Sequence, residues 1–169
     1  MALLRKILTV ITLSSMMTGC DTRDAAPPQN GNQVTSFITR MDPRLDALVA
    51  PNTEVEKLAD GFVFLEGPVW HQTTKQLFFS DVRDNAAYIW SEENGLHDFI
   101  KPVFNGSSNG RSVGSNGLTI DKNGCIIMLE HGYRRISRAC QTELIQREVI
   151  ADSYNGKRFN SPYDSTWHS

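Results

Sequence analysis

Two oxygen-bearing side chains are the first candidates for chemistry. Glu66, in Glu66-Gly67-Pro68-Val69-Trp70-His71, offers a carboxylate, and Asn116, in Asn116-Gly117-Leu118-Thr119-Ile120-Asp121, offers a neutral carboxamide oxygen. Such donors suit a hard divalent cation, with water filling the remaining coordination places. Taken singly they mean little, because polar residues often begin strands. Their weight comes from register: residues 66–81 lie over 116–131 without a gap, so Glu66 and Asn116 are equivalent positions of an internal repeat. Leu77-Phe78-Phe79-Ser80-Asp81 then falls on Ile127-Met128-Leu129-Glu130-His131. A third copy starts at Tyr163-Asp164-Ser165-Thr166-Trp167-His168, whose Trp167-His168 repeats Trp70-His71.

The elements that must position these residues are strands. Each copy reads as a short strand, a turn (Gln72 to Lys75; Lys122 to Gly124), an apolar strand, a tight turn and a further strand. Leu96 to Ile100 and Glu148 to Ala151 are candidates for the fourth. Copies begin 50 and then 47 residues apart, near the period of a four-stranded β-propeller blade. The expected class is therefore all-β, a propeller; an open β-sandwich is the competing architecture. In a blade the innermost strand starts at one end of the channel, and the second strand returns there. Glu66, Asn116 and Tyr163 are thus expected around one rim, with the hairpins at Ser80-Asp81 and Glu130-His131-Gly132 facing it. Asp42-Pro43 reads as the cap and first position of a short helix through Leu45, Leu48 and Val49, and Thr53 to Leu58 as a strand. The reading comprises about two blades plus one strand of a third, so it predicts an incomplete ring with exposed edges, poor solubility and no turnover by itself.

Composition limits the alternatives. Aliphatic, aromatic and Cys residues make up 40% of the 169 residues and charged residues 21%, which is globular rather than disordered composition. The net charge is −2, and removing residues 1–19 takes away Arg5 and Lys6 but no acid, leaving −4. No basic stripe is present for a phosphate backbone, so nucleic acid is not an expected partner.

The first nineteen residues read as targeting. Arg5 and Lys6 precede the short apolar run Ile7 to Met17, too short to span a bilayer. Met17-Thr18-Gly19-Cys20 resembles the lipobox of bacterial lipoproteins, which implies a signal peptide over 1–19 and lipidation of Cys20; an ordinary cleaved signal is the alternative. The resemblance implies a cell-envelope location facing the periplasm, with Asp21 favouring the inner membrane and the lipid as the sole membrane contact. Residues 20–41, with Pro27-Pro28 and Gln29-Asn30-Gly31-Asn32, read as a flexible linker. Residues 42–169 are then the propeller portion.

Several motifs resemble the regucalcin/gluconolactonase/luciferin-regenerating-enzyme-like family, and bacterial gluconolactonase-like members in particular. They are Phe64-Leu65-Glu66-Gly67-Pro68-Val69-Trp70-His71, Leu77-Phe78-Phe79-Ser80-Asp81 and Ser115-Asn116-Gly117-Leu118-Thr119. Glu130-His131-Gly132-Tyr133-Arg134-Arg135 and Gly156-Lys157-Arg158-Phe159-Asn160-Ser161-Pro162 extend the match. The resemblance covers roughly Asp42 to the C-terminus. It implies a six-bladed propeller holding a divalent metal, commonly Ca2+ with Zn2+ or Mg2+ as alternatives, and hydrolysis of small sugar lactones. Glu66 resembles the family's first metal ligand. Asn116 and Asp164 are further candidates, and His131, Arg158 and Asn160 are candidates for substrate hydroxyls, although His131 and Arg158 could equally be ordinary rim residues. Where the family reads Asn-Ser-Pro-Asn-Asp, this chain reads Asn160-Ser161-Pro162-Tyr163-Asp164, and a phenol is a poor ligand for a hard ion. The implied mechanism is metal-assisted hydrolysis, with the catalytic base lying in blades beyond those present here. The other readings are a non-catalytic propeller lipoprotein that binds a ligand or protein, and an aryl-ester or phosphotriester hydrolase of the same fold.

Two further features complete the picture. With Gly132-Tyr133 as a turn, Cys125 and Cys140 fall opposite one another on neighbouring strands, close enough for a disulfide; two buried thiols are the alternative. Asn105-Gly106-Ser107-Ser108-Asn109-Gly110 lacks the Lys-Ser/Thr of a phosphate-binding loop and reads as a connector between blades.

Overall fold

The computed structural model describes residues 38–141 and 146–166. The signal peptide, Cys20, most of the linker and Trp167-His168 lie outside the described residues. The chain divides into two compact units, Met1–Asp60 and Gly61–Ser169.

In the first unit, Asp42 caps a short 3-10 helix, Pro43–Ala47, by accepting the Arg44 amide at 2.8 Å, with proline in its first turn. Arg40 donates to Asp46 Oδ1 at 2.6 Å and to the carbonyl oxygens of Val49 and Ala50 at 2.9 and 2.5 Å, which fastens the end of this turn. Thr53 to Leu58, expected as a strand, is not one. A strand needs a neighbour to accept and donate its ladder bonds. No such neighbour pairs with it among the described residues.

The second unit holds the repeat. Strands β1 (Leu65–His71), β2 (Gln76–Asp81), β3 (Ala86–Ser91) and β4 (Gly95–Ile100) form one antiparallel sheet in chain order. β5 (Ser115–Ile120), β6 (Ile126–Glu130), β7 (Arg135–Ala139) and β8 (Arg147–Ala151) form a second sheet of the same order. Two consecutive four-stranded meanders are two blades. Residues at equivalent repeat positions close equivalent turns. His71 Nδ1 accepts the Thr74 amide at 3.2 Å, and Asp121 Oδ1 accepts the Asn123 and Cys125 amides at 2.8 and 2.9 Å. With Nδ1 accepting, His71 Nε2 is the protonated nitrogen and donates to the Gly124 carbonyl oxygen at 3.1 Å, which ties the first blade to the second.

The two sheets pack face to face. Phe78, Ala87, Ile89 and Phe99 of the first meet Leu118, Ile126, Met128 and Ala139 of the second in one apolar core. The blades approach most closely where β1 passes β5. There Gly67, at φ +51°, lies against Asn116, Gly117 and Leu118 so tightly that a Cβ would sit 2.5 Å from the Leu118 nitrogen. One repeat later the contact recurs: a Cβ on Gly117 would lie 2.8 Å from the Tyr163 carbonyl oxygen.

The β6–β7 register pairs Ile126 with Ala139, which sets Cys125 opposite Cys140, and the two sulfurs are bonded. Residues 163–166, expected to start the third copy's strand, belong to no sheet. Among their ties to β5 is a hydrogen bond from the Gly117 amide to the Tyr163 carbonyl oxygen at 2.8 Å. Before them lies a small hairpin, β9 (Ser153–Tyr154) and β10 (Lys157–Arg158), turned by Asn155-Gly156 with φ of 50° and 73°. Asn-Gly with two positive φ values is the turn such a two-residue hairpin demands.

Candidate functional site

Glu66 stands second in β1 and Asn116 second in β5, and the strand starts bring them to one end of the sheets. Glu66 pairs in register with Ser80, whose hydroxyl bonds Ser115 Oγ at 2.7 Å and the Asn116 carbonyl oxygen at 2.9 Å. Tyr163 Oη donates to Glu66 Oε1 at 2.8 Å. The Asn116 side-chain nitrogen donates to the Pro162 carbonyl oxygen at 2.8 Å, next to Tyr163. The leading residues of the three copies therefore converge, as polar side chains around a common axis must.

Convergence changes what each can do. The hydrogen bond to Glu66, and then the carboxylate's charge, raise the pKa of the Tyr163 phenol above its ordinary value, so it keeps its proton at neutral pH and acts as a donor. Asn116 is buried, and its side-chain nitrogen donates to the Pro162 carbonyl oxygen and Ser161 Oγ, which makes Oδ1 the acceptor end. Asp164 is exposed and spends Oδ1 on the Ser165 amide at 2.8 Å.

This donor set suits a divalent cation in kind but not in number. Glu66 Oε2 and Asn116 Oδ1 are two oxygens, whereas Ca2+ takes about six to eight. Among the described residues no group of three or more His, Cys, Asp or Glu side chains is placed to hold a metal ion. The described residues do not by themselves make a metal centre.

The other sequence candidates separate. His131 and Asn160 line one cavity of about 610 Å³, together with Ser161, Arg111 and Arg134. His131 Nδ1 is 3.0 Å from Ser161 Oγ, which fixes the ring. Arg158 is not in that wall; its guanidinium donates to the Tyr133 carbonyl oxygen at 2.7 Å and stitches the hairpin to the second blade. Glu130, expected to face the rim, is instead wholly buried. It accepts from Arg135 Nε at 2.8 Å, from Arg147 at 3.0 Å and from the Ser137 hydroxyl. The reason is charge: two arginines on β7 and β8 turn this carboxylate inward.

Sequence reasoning missed the Tyr163–Glu66 bond, the Glu130 network and the cavity arginines. The repeat itself could have flagged Glu130, since it falls on Ser80, a small buried hydroxyl, where a charge needs partners. No pattern in the sequence pairs Arg111 with Arg134.

The comparisons with known proteins agree with this geometry. The family model for the SMP-30/Gluconolactonase/LRE-like region matches residues 64–166. A gluconolactonase of Zymomonas mobilis subsp. mobilis is 34% identical over 161 residues, a match that covers 93% of this chain and 44% of that protein. An X-ray structure from the Northeast Structural Genomics Consortium, of a protein assigned to the gluconolactonase family, is 38% identical with a TM-score of 0.54, over 64% of this chain and 34% of that one. A gluconolactonase structure from Xanthomonas campestris is 27% identical with a TM-score of 0.54, over 63% of this chain and 32% of that one. The chain thus spans less than half the length of these relatives. By its repeat, its paired meanders and its matched motifs, it belongs to the SMP-30/gluconolactonase/LRE-like family.

Proposed function

We propose that the chain forms the opening blades of a hydrolase acting on small sugar lactones, and that Glu66 belongs to its reaction centre. The observation that carries this reading is the meeting of Glu66, Asn116 and Tyr163, three repeat-equivalent positions, at one end of the blades. In lactone hydrolysis, water adds to the carbonyl carbon, the ring C–O bond breaks, and the released alkoxide gains a proton to give a hydroxy acid. The Glu66 carboxylate, with Oε1 occupied by the Tyr163 hydroxyl, keeps Oε2 as an acceptor that holds water or substrate in place, while the base that takes the water's proton belongs to further blades. His131 and Asn160 share the wall of one cavity, which supports a role for them toward sugar hydroxyls. The cation that the family resemblance implies would find two oxygen donors here, Glu66 Oε2 and Asn116 Oδ1.

The test is a chimera in which residues 38–166 replace the matching segment of the Zymomonas mobilis relative. It is expected to hydrolyse glucono-lactone, and Glu66→Gln is expected to lower kcat/KM about a hundred-fold or more. Hydrolysis indifferent to Glu66→Gln would remove Glu66 from the reaction. The second reading, a non-catalytic ligand-binding propeller, is favoured by one observation: Tyr163 caps Glu66 Oε1 where the family resemblance leads one to expect a second Asn. A folded chimera that binds lactone without turning it over would select that reading.

We further propose that residues 1–20 export and anchor the chain through Cys20. Labelled palmitate supplied to bacteria expressing the chain is expected to enter it and to be absent from Cys20→Ser. Equal labelling of both would refute lipidation at Cys20.

A further inference from the structure

The cavity holding His131 and Asn160 has an unusual charge balance. Arg111 and Arg134 stand in its wall with Ser107, Ser108 and Ser161, and no acidic side chain among the described residues lines it. Arg111 is exposed, and its guanidinium has no partner among the described residues. Arg134 is held in place: its Nε donates to the carbonyl oxygens of Phe159 and Asn160 at 2.5 and 3.2 Å, and its amide to the His131 carbonyl oxygen at 3.2 Å. It does so at φ +57°, a left-handed conformation uncommon for a residue with a side chain. The opposite wall is equally fixed. Phe104 packs edge-on against Tyr133 with ring centres 4.7 Å apart, the Asn105 amide donates to Tyr133 Oη at 3.2 Å, and the Arg111 amide donates to the Ser108 carbonyl oxygen at 2.9 Å.

A site for a neutral polyol needs acceptors as well as donors, because each sugar hydroxyl both gives and takes a hydrogen bond. Here the two guanidiniums are donors only and no carboxylate of the described residues balances them, while the serine hydroxyls, the His131 imidazole and the Asn160 carboxamide can serve hydroxyls in either role. Two guanidiniums with hydroxyls around them match an anionic oxygen group carried on a hydroxylated skeleton. We propose that this cavity binds the anionic group of a sugar acid, Arg111 and Arg134 taking the charge and Ser107, Ser108 and Ser161 the neighbouring hydroxyls. This deepens the lactonase reading and rests on it for the sugar skeleton, since the hydroxy acid released by ring opening carries such a group. The loop expected only to connect blades is, on this view, one wall of the site.

The experiment compares gluconate with sorbitol, which has the same carbon skeleton without the carboxylate, on the purified 169-residue chain by calorimetric titration. Gluconate is expected to bind and sorbitol to bind at least about ten-fold more weakly, with Arg111→Gln and Arg134→Gln each costing gluconate about ten-fold or more. Glucose 6-phosphate is the arm that separates a phosphate from a carboxylate, and tighter binding of it would place the anion on phosphate. Arg83→Gln, which removes a cation lying over the Phe64 ring instead, is expected to leave binding unchanged. Arg134→Gln also removes a turn contact, so Arg111→Gln, on an exposed side chain, is the deciding variant. Equal binding of gluconate and sorbitol, no binding of any anion, or gluconate affinity untouched by Arg111→Gln would each overturn the proposal. Gluconate binding alongside a chimera inactive on lactone would sink the hydrolase reading alone; an active chimera with no anion preference would sink this one alone.

Discussion

Glu130→Ala is expected to destabilise the second blade by about 3–5 kcal/mol, because it leaves two largely covered guanidiniums without their buried counter-charge. The side chain is 0% exposed and Arg147 only 14% exposed, so water cannot replace what is lost. Both guanidiniums stay committed to their positions. Arg135 lies over the Tyr133 ring at 4.3 Å, and Arg147 donates to the Val103 carbonyl oxygen at 2.6 Å. For a chain of this size the loss corresponds to a fall in Tm of roughly 6–20 °C. Urea unfolding followed by circular dichroism is the measurement, and a lower midpoint at unchanged slope is the expected form. Paired apolar replacement, Glu130→Leu with Arg147→Met, is expected to recover much of the loss, since a well-packed apolar pair avoids the desolvation of both ions. A loss under about 1 kcal/mol for Glu130→Ala would mean that the network behaves as a solvated surface pair.

The same residue shows where sequence reasoning stops. The gap-free repeat carries backbone information: turns at Gln72–Lys75 and Lys122–Gly124, the order of strands, and the cross-strand position of Cys125 and Cys140 all follow from it. Those features depend on period and register, which are properties of one segment and its neighbour. Glu130 sits at a repeat position that seemed to point toward the rim, yet its direction is decided by Arg135 and Arg147, five and seventeen residues away. Thr53–Leu58 has strand-like residues, but a strand is a property of two segments. Tyr163 was legible as a departure from the expected Asn, while its hydrogen bond to a residue 97 positions earlier was not. The cavity needed a loop at 104–113 and a hairpin end at 160–161 to meet, and no periodicity encodes that meeting.

Gly67→Ala is expected to strain the joint between the blades, at about 2–5 kcal/mol, and to do so by two separable routes. The first is local: φ is +51°, where an L side chain costs about 1–2 kcal/mol. The second is distant: the new methyl would lie 2.5 Å from the Leu118 nitrogen, 2.7 Å from the Gly117 Cα and 2.8 Å from the Asn116 carbonyl oxygen. All three are β5 backbone, which cannot turn aside as a side chain would, and such overpacking costs about 1–3 kcal/mol. Gly95→Ala isolates the first route, because φ is +66° there and nothing lies within 4 Å of the new Cβ. The difference between the two variants in urea is then the cost of forcing β1 away from β5. Equal losses would show that the sheets yield freely at this contact. A real difference reaches the reaction centre as well, since Glu66 precedes Gly67 and moves with it. In the chimera Gly67→Ala should therefore lower kcat/KM while Gly95→Ala leaves it unchanged, for the glycine that lets two sheets touch also sets how far Glu66 stands from Tyr163.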